Sequence, residues 1–350
     1  MQNRNLDELL DLVVSPGSAS AVTVIAMRNG EEVARAARGI TRAWDQEGTP
    51  STVAGSPVQI DTLFDLASIT KPIVATTLLT ELNNHSLTPE LPLAELLPEF
   101  RAEGLRGITA AQLLSHTAGF APSWHDHSAD PGAERFRATA RPIELLNPIH
   151  QYSCLGFIWA GILAETLGNA SLDQLVSTHV LDPLGMHSTG YRPLTASAEP
   201  RALSQIVATE YQEHRGMVHG EVHDETAHAL GGVSGNAGLF STAPDLIRFA
   251  EALRTGTGIA PEVHHWLTEP IAGGATPDGY TPTLGLRSNE TWTAAVTGRT
   301  VSHAGFTGTI FLAEPGGERS LALLSNRVHP TREQMAMPNL RPELVAAAFA

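Results

Sequence analysis

Phe64 to Leu79 reads F-D-L-A-S-I-T-K-P-I-V-A-T-T-L-L and places Ser68 three residues ahead of Lys71, at the opening of a nearly all-apolar run. Residues three apart share one face of a helix. Pro72 fixes where that helix begins: it has no N–H for the Ser68 carbonyl four residues earlier, and proline is tolerated only in a first turn. Ser68 is therefore expected at the helix N-terminus, where free backbone N–H groups and the positive dipole end favour negative charge on a nearby oxygen. A serine hydroxyl needs a base beside it at neutral pH, and a lysine desolvated by apolar neighbours can serve as proton acceptor. The pair suits the Ser-Lys form of nucleophilic catalysis. By itself the spacing is a weak signal, since a helix cap followed by a solvated lysine has the same pattern. The flanking L-A-S-I-T and P-I-V-A argue against that, because they leave Lys71 little polar surface to share.

Away from this stretch the pattern changes in both directions. Ala21 to Arg28 (A-V-T-V-I-A-M-R) is apolar and β-branched, and Asn29-Gly30 leads into Glu32 to Gly39, a strong hairpin signal. Thr300 to Ala313, a Gly316-Gly317 turn and Arg319 to Val328 read as a second hairpin, closed by a helix over Pro342 to Phe349. Between the two ends lie helical patterns at Ile73 to Leu82, Ala110 to Leu114, Leu155 to Leu167, Leu172 to Val180 and Pro244 to Leu253. Asp126 to Gly132 and Ala272 to Tyr280 are the loop-rich stretches. The expected class is α/β (α+β): an antiparallel sheet built from both chain ends and flanked by helices, with an inserted, mainly helical domain. Residues 1–62 and 284–350 are assigned to the sheet domain, and 63–283 to the helical domain that carries the nucleophile helix and active-site loops.

Composition removes several function classes. At 350 residues and 42% hydrophobic content the chain can bury a full core. Its net charge of -15, with no basic stripe, opposes binding to a phosphate backbone, so no nucleic-acid partner is expected. Cys154, the single cysteine, allows neither an internal disulfide nor a Cys-only zinc site. Asn3 to Val14 reads as an amphipathic helix start and not as a signal peptide. No stretch reaches the ~18 apolar residues of a membrane span. A cytoplasmic protein without a membrane partner is the expectation. His125-Asp126-His127 and the run His219 to His228 (H-G-E-V-H-D-E-T-A-H) carry metal-type ligands, but neither has the H-E-x-x-H arrangement. Neither a metal nor another cofactor is expected.

Six segments in order carry a resemblance to a known family. Ser68 and Lys71 come first, then L-L-S-H-T-A-G-F (Leu113 to Phe120), Q-Y-S-C-L-G-F (Gln151 to Phe157) and P-L-G-M (Pro183 to Met186). G-L-F-S-T (Gly238 to Thr242) and H-A-G-F (His303 to Phe306) complete the series. Over nearly the whole chain this resembles the serine β-lactamase and penicillin-binding-protein family, specifically its class C β-lactamase and family VIII carboxylesterase branch. The resemblance implies the β-lactamase/DD-peptidase-like fold.

It also implies roles. Tyr152 becomes a second base, sensible as a phenolate only beside a cation such as Lys71. The backbone N–H groups of Ser68 and Phe306 become the oxyanion hole. Cys154, His303, Ala304 and Gly305 fall at substrate-lining positions, with Gly305 letting substrate and backbone approach closely. The run His219 to His228 falls at the active-site mouth. His116 is expected to be a structural, hydrogen-bonding histidine. Trp124 is a candidate substrate-facing aromatic, with packing onto the helical domain as the alternative.

Three departures weaken recognition of a β-lactam carboxylate. Cys154 replaces an Asn or Asp, Ala304 replaces a Thr or Ser hydroxyl, and His303 replaces a lysine, which makes that positive charge depend on pH. Acyl transfer itself is untouched. The expected function is a serine hydrolase forming an acyl-enzyme on small carboxylic esters, with weak β-lactam hydrolysis as a side activity. The alternatives are a D-amino-acid amidase, D,D-peptidase or β-lactamase, a non-catalytic ligand-binding relic of the fold, and a metal hydrolase.

Overall fold

The computed structural model of the chain describes residues 4–15, 18–124, 133–140, 150–191 and 203–350. Helix α1 (Leu6–Val13) opens with a capping box in which Asn5 and Glu8 bond each other's backbone N–H. The hairpin β1 (Ala21–Arg28) and β2 (Glu31–Gly39) follows, turning through Asn29 and Gly30, both at positive φ as such a turn requires. β1 alternates between two cores: Val22, Val24 and Ala26 enter one, Ala21 and Ile25 the other. It is therefore a strand covered on both faces.

Two short strands, β3 (Trp44–Gln46) and β4 (Thr49–Pro50), pair with each other, and β5 (Phe64–Asp65) leads into the nucleophile turn. Helix α2 (Thr70–Asn84) then runs through the middle of the helical part, with every residue from Thr70 to Leu79 buried. Its threonine hydroxyls are satisfied locally, since Thr76, Thr77 and Thr80 each donate to the carbonyl four residues back. Helix α3 (Ala110–Leu114), the short α4 (Ala133–Thr139) and the apolar α5 (Cys154–Gly168) follow, and α3 and α2 both pack on α5. The helix expected over Leu172 to Val180 splits. α6 (Leu172–Val176) gives way to a wider turn at Ser177–Leu181, in which His179 meets the buried Glu81 carboxylate of α2 at 2.5 Å.

The middle sheet sets β9 (Leu239–Ser241) between β5 and β6 (Gly190–Tyr191), and β7 (Tyr211–Gln212) pairs with β8 (Gly216–Met217). α7 (Glu225–Ala229), α8 (Ala243–Thr255) and α9 (Pro261–Thr268) complete this part. The remaining strands are β10 (Thr281–Pro282), β11 (Arg287–Ser288), β12 (Val301–Ala304), β13 (Ile310–Ala313) and β14 (Arg319–Ser325). With β1 and β2 they form one antiparallel sheet in the order β10-β11-β12-β13-β14-β1-β2. β14 joins the ends of the chain, pairing with β1 from Val22↔Ser325 to Arg28↔Arg319. α1 and the closing helix α10 (Ala336–Ala348) cover one face of the sheet with Leu9, Leu10, Leu344 and Val345. α8 covers the other, where Phe249 meets Phe311 edge-on. Among the described residues, no single helix is long and apolar enough to cross a membrane.

One strand expectation fails in a way that matters for the site. Thr300 to Ala313 is two antiparallel strands folded back at residues 305–309, where the Gly305 N–H donates to the Thr309 carbonyl at 2.7 Å and Gly308 takes a φ of +108°. The apolar alternation continues across the turn, which is why it reads as one strand. The closing helix also starts earlier than expected, at Ala336, and holds Pro342 within it.

Candidate active site

The chain enters the site through a strained turn. After β5, Ala67 adopts a left-handed φ of +46°, a conformation costing roughly 1 kcal/mol for a residue with a Cβ. Neighbouring groups hold it there. Asp65 Oδ1 accepts the Ala67 N–H at 2.7 Å, while the hydroxyls of Thr307 and Thr309 donate to the carbonyls of Asp65 and Leu66 at 2.8 and 3.0 Å. The turn places Ser68 in a single 3-10 turn, Ala67–Ile69, directly ahead of α2, half-buried and open to substrate. Pro72 sits in the first turn of α2, as its missing N–H requires.

Gly305 is where the sheet and the nucleophile turn touch. A Cβ there would lie 2.1 Å from Thr309 Oγ1 and 2.4 Å from the Leu66 carbonyl oxygen. The close approach expected at this glycine is thus made by the protein's own turn. Gly305→Ala should lower stability by roughly 1–3 kcal/mol, because backbone stands in the way and cannot rotate aside. A urea midpoint equal to that of the parent would show instead that the turn yields.

Lys71 is fully buried and its ammonium is saturated. It donates to Ser68 Oγ at 2.9 Å, to the Asn236 carbonyl at 3.1 Å and to Cys154 Sγ at 3.5 Å. Asn236 is itself fixed, accepting from Ser234 Oγ at 2.7 Å and donating to Asp224 Oδ1 at 3.1 Å. The sequence leads one to expect a lysine pushed toward neutrality by desolvation, and the groups around it pull the other way. Burial does push against its charge, but the acidic groups facing it, Cys154 first and then Tyr152 and Asp224, outweigh that and raise its pKa.

Tyr152 lies between two cations. The Lys71 ammonium is 5.0 Å from its ring centroid and the Arg287 guanidinium 4.9 Å. Arg287, on β11, is held by Glu290 at 3.0 Å, which in turn accepts from Ser302 Oγ at 2.8 Å. His116 packs on the Tyr152 ring at 4.5 Å, and His116 Nδ1 accepts the Ser153 N–H at 3.1 Å. That bond, with the His116 carbonyl accepting from Gln151, orients the segment carrying Tyr152 and Cys154.

His303, expected as a charge conditional on pH, is pulled toward its neutral form. Its ring is buried, and burial, with Arg287 and Lys71 nearby, holds its pKa well below the ordinary histidine value. Because a carbonyl only accepts, its Nδ1 carries the proton toward the Ala304 oxygen, 3.0 Å away, and Nε2 is bare. Ala304 ends β12 half-buried, with no hydroxyl to offer a ligand. Phe306 stands just beyond, 46% exposed, and its N–H forms no hydrogen bond among the described residues.

Trp124 is not brought to the site as a substrate-facing ring. It is buried, packs edge-on against Phe136 and donates to Thr139 Oγ1, since the helical part offers its indole both an apolar wall and an acceptor. The His219 to His228 run divides. His219 bonds the Leu203 and Ile206 carbonyls, His228 approaches Glu221, and only His223 reaches the site's edge, stacked on Phe306. His125, Asp126 and His127 lie outside the described residues, as does the Asp126 to Gly132 loop. Asp65, Asp224, Asn236 and Arg287 were not singled out in the sequence. Only Asp65 had a local signal, an Asx residue two positions before the strained Ala67.

Comparison with known proteins bears on family and fold. The Beta-lactamase family model matches residues 6–345. A protein of Escherichia coli (strain K12) named as a putative D-alanyl-D-alanine carboxypeptidase is 28% identical, over 96% of this chain and 85% of its own length. A class C beta lactamase from Rhodobacter sphaeroides shares the fold with a TM-score of 0.72 at 19% identity, over 99% of each chain. EstCE1, titled a hydrolase with promiscuous acyltransferase activity, shares it with a TM-score of 0.70 at 19% identity, over 97% of each. The expected β-lactamase/DD-peptidase fold is present, and the chain belongs to the beta-lactamase family of serine hydrolases.

Proposed function

We propose that the protein hydrolyses small carboxylic esters through an acyl-enzyme on Ser68. The observation that carries the choice of ester is the 303–304 pair: where the family resemblance implies a cation and a hydroxyl for a substrate carboxylate, there stand a buried imidazole, whose pKa burial holds well below the ordinary value, and a methyl group. Arg287 does not fill that role, being engaged by Glu290 and enclosed between Tyr152 and Tyr280. EstCE1, with its acyltransferase activity, is a precedent for such chemistry on this fold.

In this reading Tyr152, as the phenolate between Lys71 and Arg287, takes the Ser68 proton while Ser68 Oγ bonds the ester carbonyl carbon. The oxyanion collects on the N–H groups of Ser68 and Phe306. Tyr152 returns the proton to the departing alkoxide, leaving the acyl-enzyme. Water then gives a proton to Tyr152 as its oxygen attacks, and that proton goes back to Ser68 Oγ as the acid leaves. Lys71 keeps its charge throughout, compensating the phenolate and fixing Ser68.

The name of the Escherichia coli relative supports a second reading, a D,D-peptidase. p-Nitrophenyl butyrate, nitrocefin and a D-Ala-D-Ala peptide, assayed side by side on the parent and Ser68→Ala, separate the two. The ester should be turned over fastest, and only by the parent. Ester turnover no faster than that of Ser68→Ala, or slower than peptide cleavage, sinks the esterase reading.

A further inference from the structure

Phe306 is an exposed aromatic on a turn, yet it is held from both sides. Its ring is stacked on His223 at 5.7 Å and 28°, and the Arg327 guanidinium covers it at 4.6 Å. Arg327 Nε also donates to the Phe306 carbonyl at 2.9 Å, while Nη1 donates to the carbonyls of Arg332 and Gln334 at 3.0 and 2.8 Å. All these acceptors are backbone oxygens, and Arg327 makes no ion pair among the described residues. A 7% exposed arginine with no carboxylate in ion-pair contact is a costly way to fill space. An apolar side chain would pack there more cheaply.

What the cation achieves is a closed circuit. The His223 N–H donates to Asp65 Oδ2 at 2.7 Å, and the other oxygen of that carboxylate holds Ala67, next to Ser68. His223 Nε2 meets Glu210 at 2.9 Å, and Glu210 is clamped by Arg332, whose carbonyl Arg327 holds. The backbones of Ser68 and Phe306 are thus tied to one frame, running from Asp65 through His223 and Glu210 to Arg327.

We infer that Arg327 is a positioning residue for the oxyanion hole, pinning Phe306 from its carbonyl and ring so that its N–H stays aligned with that of Ser68. The inference rests on the reading of Ser68 as nucleophile. The transition state, not the bound ester, makes full use of that alignment. The test uses the full chain with p-nitrophenyl butyrate as substrate and a phenylboronic acid as tetrahedral analogue. Arg327→Met should lower kcat by ~10–100-fold with KM within about two-fold, and weaken the boronate by a similar factor. Arg327→Lys should recover part of both, since one donor can still reach the Phe306 carbonyl. If Arg327→Met does not fold, Phe306→Leu decides on the same readouts, because it keeps the N–H and removes the clamped ring. A folded variant with parental kcat, or one whose kcat falls with boronate affinity intact, overturns the inference. Labelling of parental Ser68 by a fluorophosphonate keeps the two failures apart: without it the nucleophile reading falls, and with it only the clamp is at stake.

Discussion

Lys71→Met should fold normally and lose on the order of 10⁴-fold in kcat/KM toward the ester, the scale seen when a nucleophile's partner is removed. The fold tolerates the change because methionine is an unbranched side chain that fills similar space among the buried residues of α2. Two effects on stability oppose each other. The Asn236 carbonyl loses its ammonium donor, at about 1–3 kcal/mol, but a charge that had to be desolvated is removed as well. Activity has no such offset. Without the ammonium, Tyr152 keeps only Arg287 to sustain a phenolate, and Ser68 Oγ loses the donor that aims it. Steady-state kinetics and a thermal midpoint on the same preparation give both readings. A folded variant that kept a tenth of parental kcat/KM would show that neither Tyr152 nor Ser68 depends on the Lys71 charge.

The charge state of that lysine shows where sequence reasoning ran out. Its burial was legible, because the apolar residues that cause it are its neighbours along one helix. Its charge was not, because Cys154, Tyr152 and Asp224 reach it from α5, the segment before it and the cap of α7. Fold and nucleophile follow the same division. The β1-β2 hairpin, α3, α5 and the start of α2 declare themselves through alternation, helical spacing, Asn29-Gly30 and Pro72 over a few residues each. Arg287 and Arg327 are single arginines in stretches with no local signature, and they matter only because β11 lies beside β12 and the exit of β14 lies behind Phe306. The downward pull on the His303 pKa was equally hidden, since it comes from burial first and then from cations on β11 and α2.

Acid should unfold the protein from below about pH 6.5, the ordinary titration point of histidine. His116 and His303 are held well below that value by burial with Lys71 and Arg287 nearby, and His329 is pushed down to about 4, chiefly by burial. The sign follows from proton counting. A group whose folded pKa is depressed binds protons in the unfolded chain first, so stability is full above 6.5 and falls as the pH drops toward the folded value. Each such histidine contributes a slope of about 1.4 kcal/mol per pH unit, so three together give roughly 4. Against a net stability of about 5–15 kcal/mol, about one to four units of acidification are enough. Glu210, held down to about 2 by His223 and Arg332 against the pull of burial, adds to the loss only below about 4.5. His150, His219 and His228, also lowered chiefly by burial, act in the same sense. Urea midpoints between pH 7.5 and 4.5 should therefore fall throughout, and His303→Gln should flatten the slope by removing one of its contributors. A flat profile from 7.5 to 5.5 would mean these imidazoles titrate in the folded state. The distinction reaches catalysis: His116 and His303 flank Tyr152 at ring-centroid distances of 4.5 and 6.3 Å, so if they cannot be protonated in place, they add no acid limb of their own to kcat/KM.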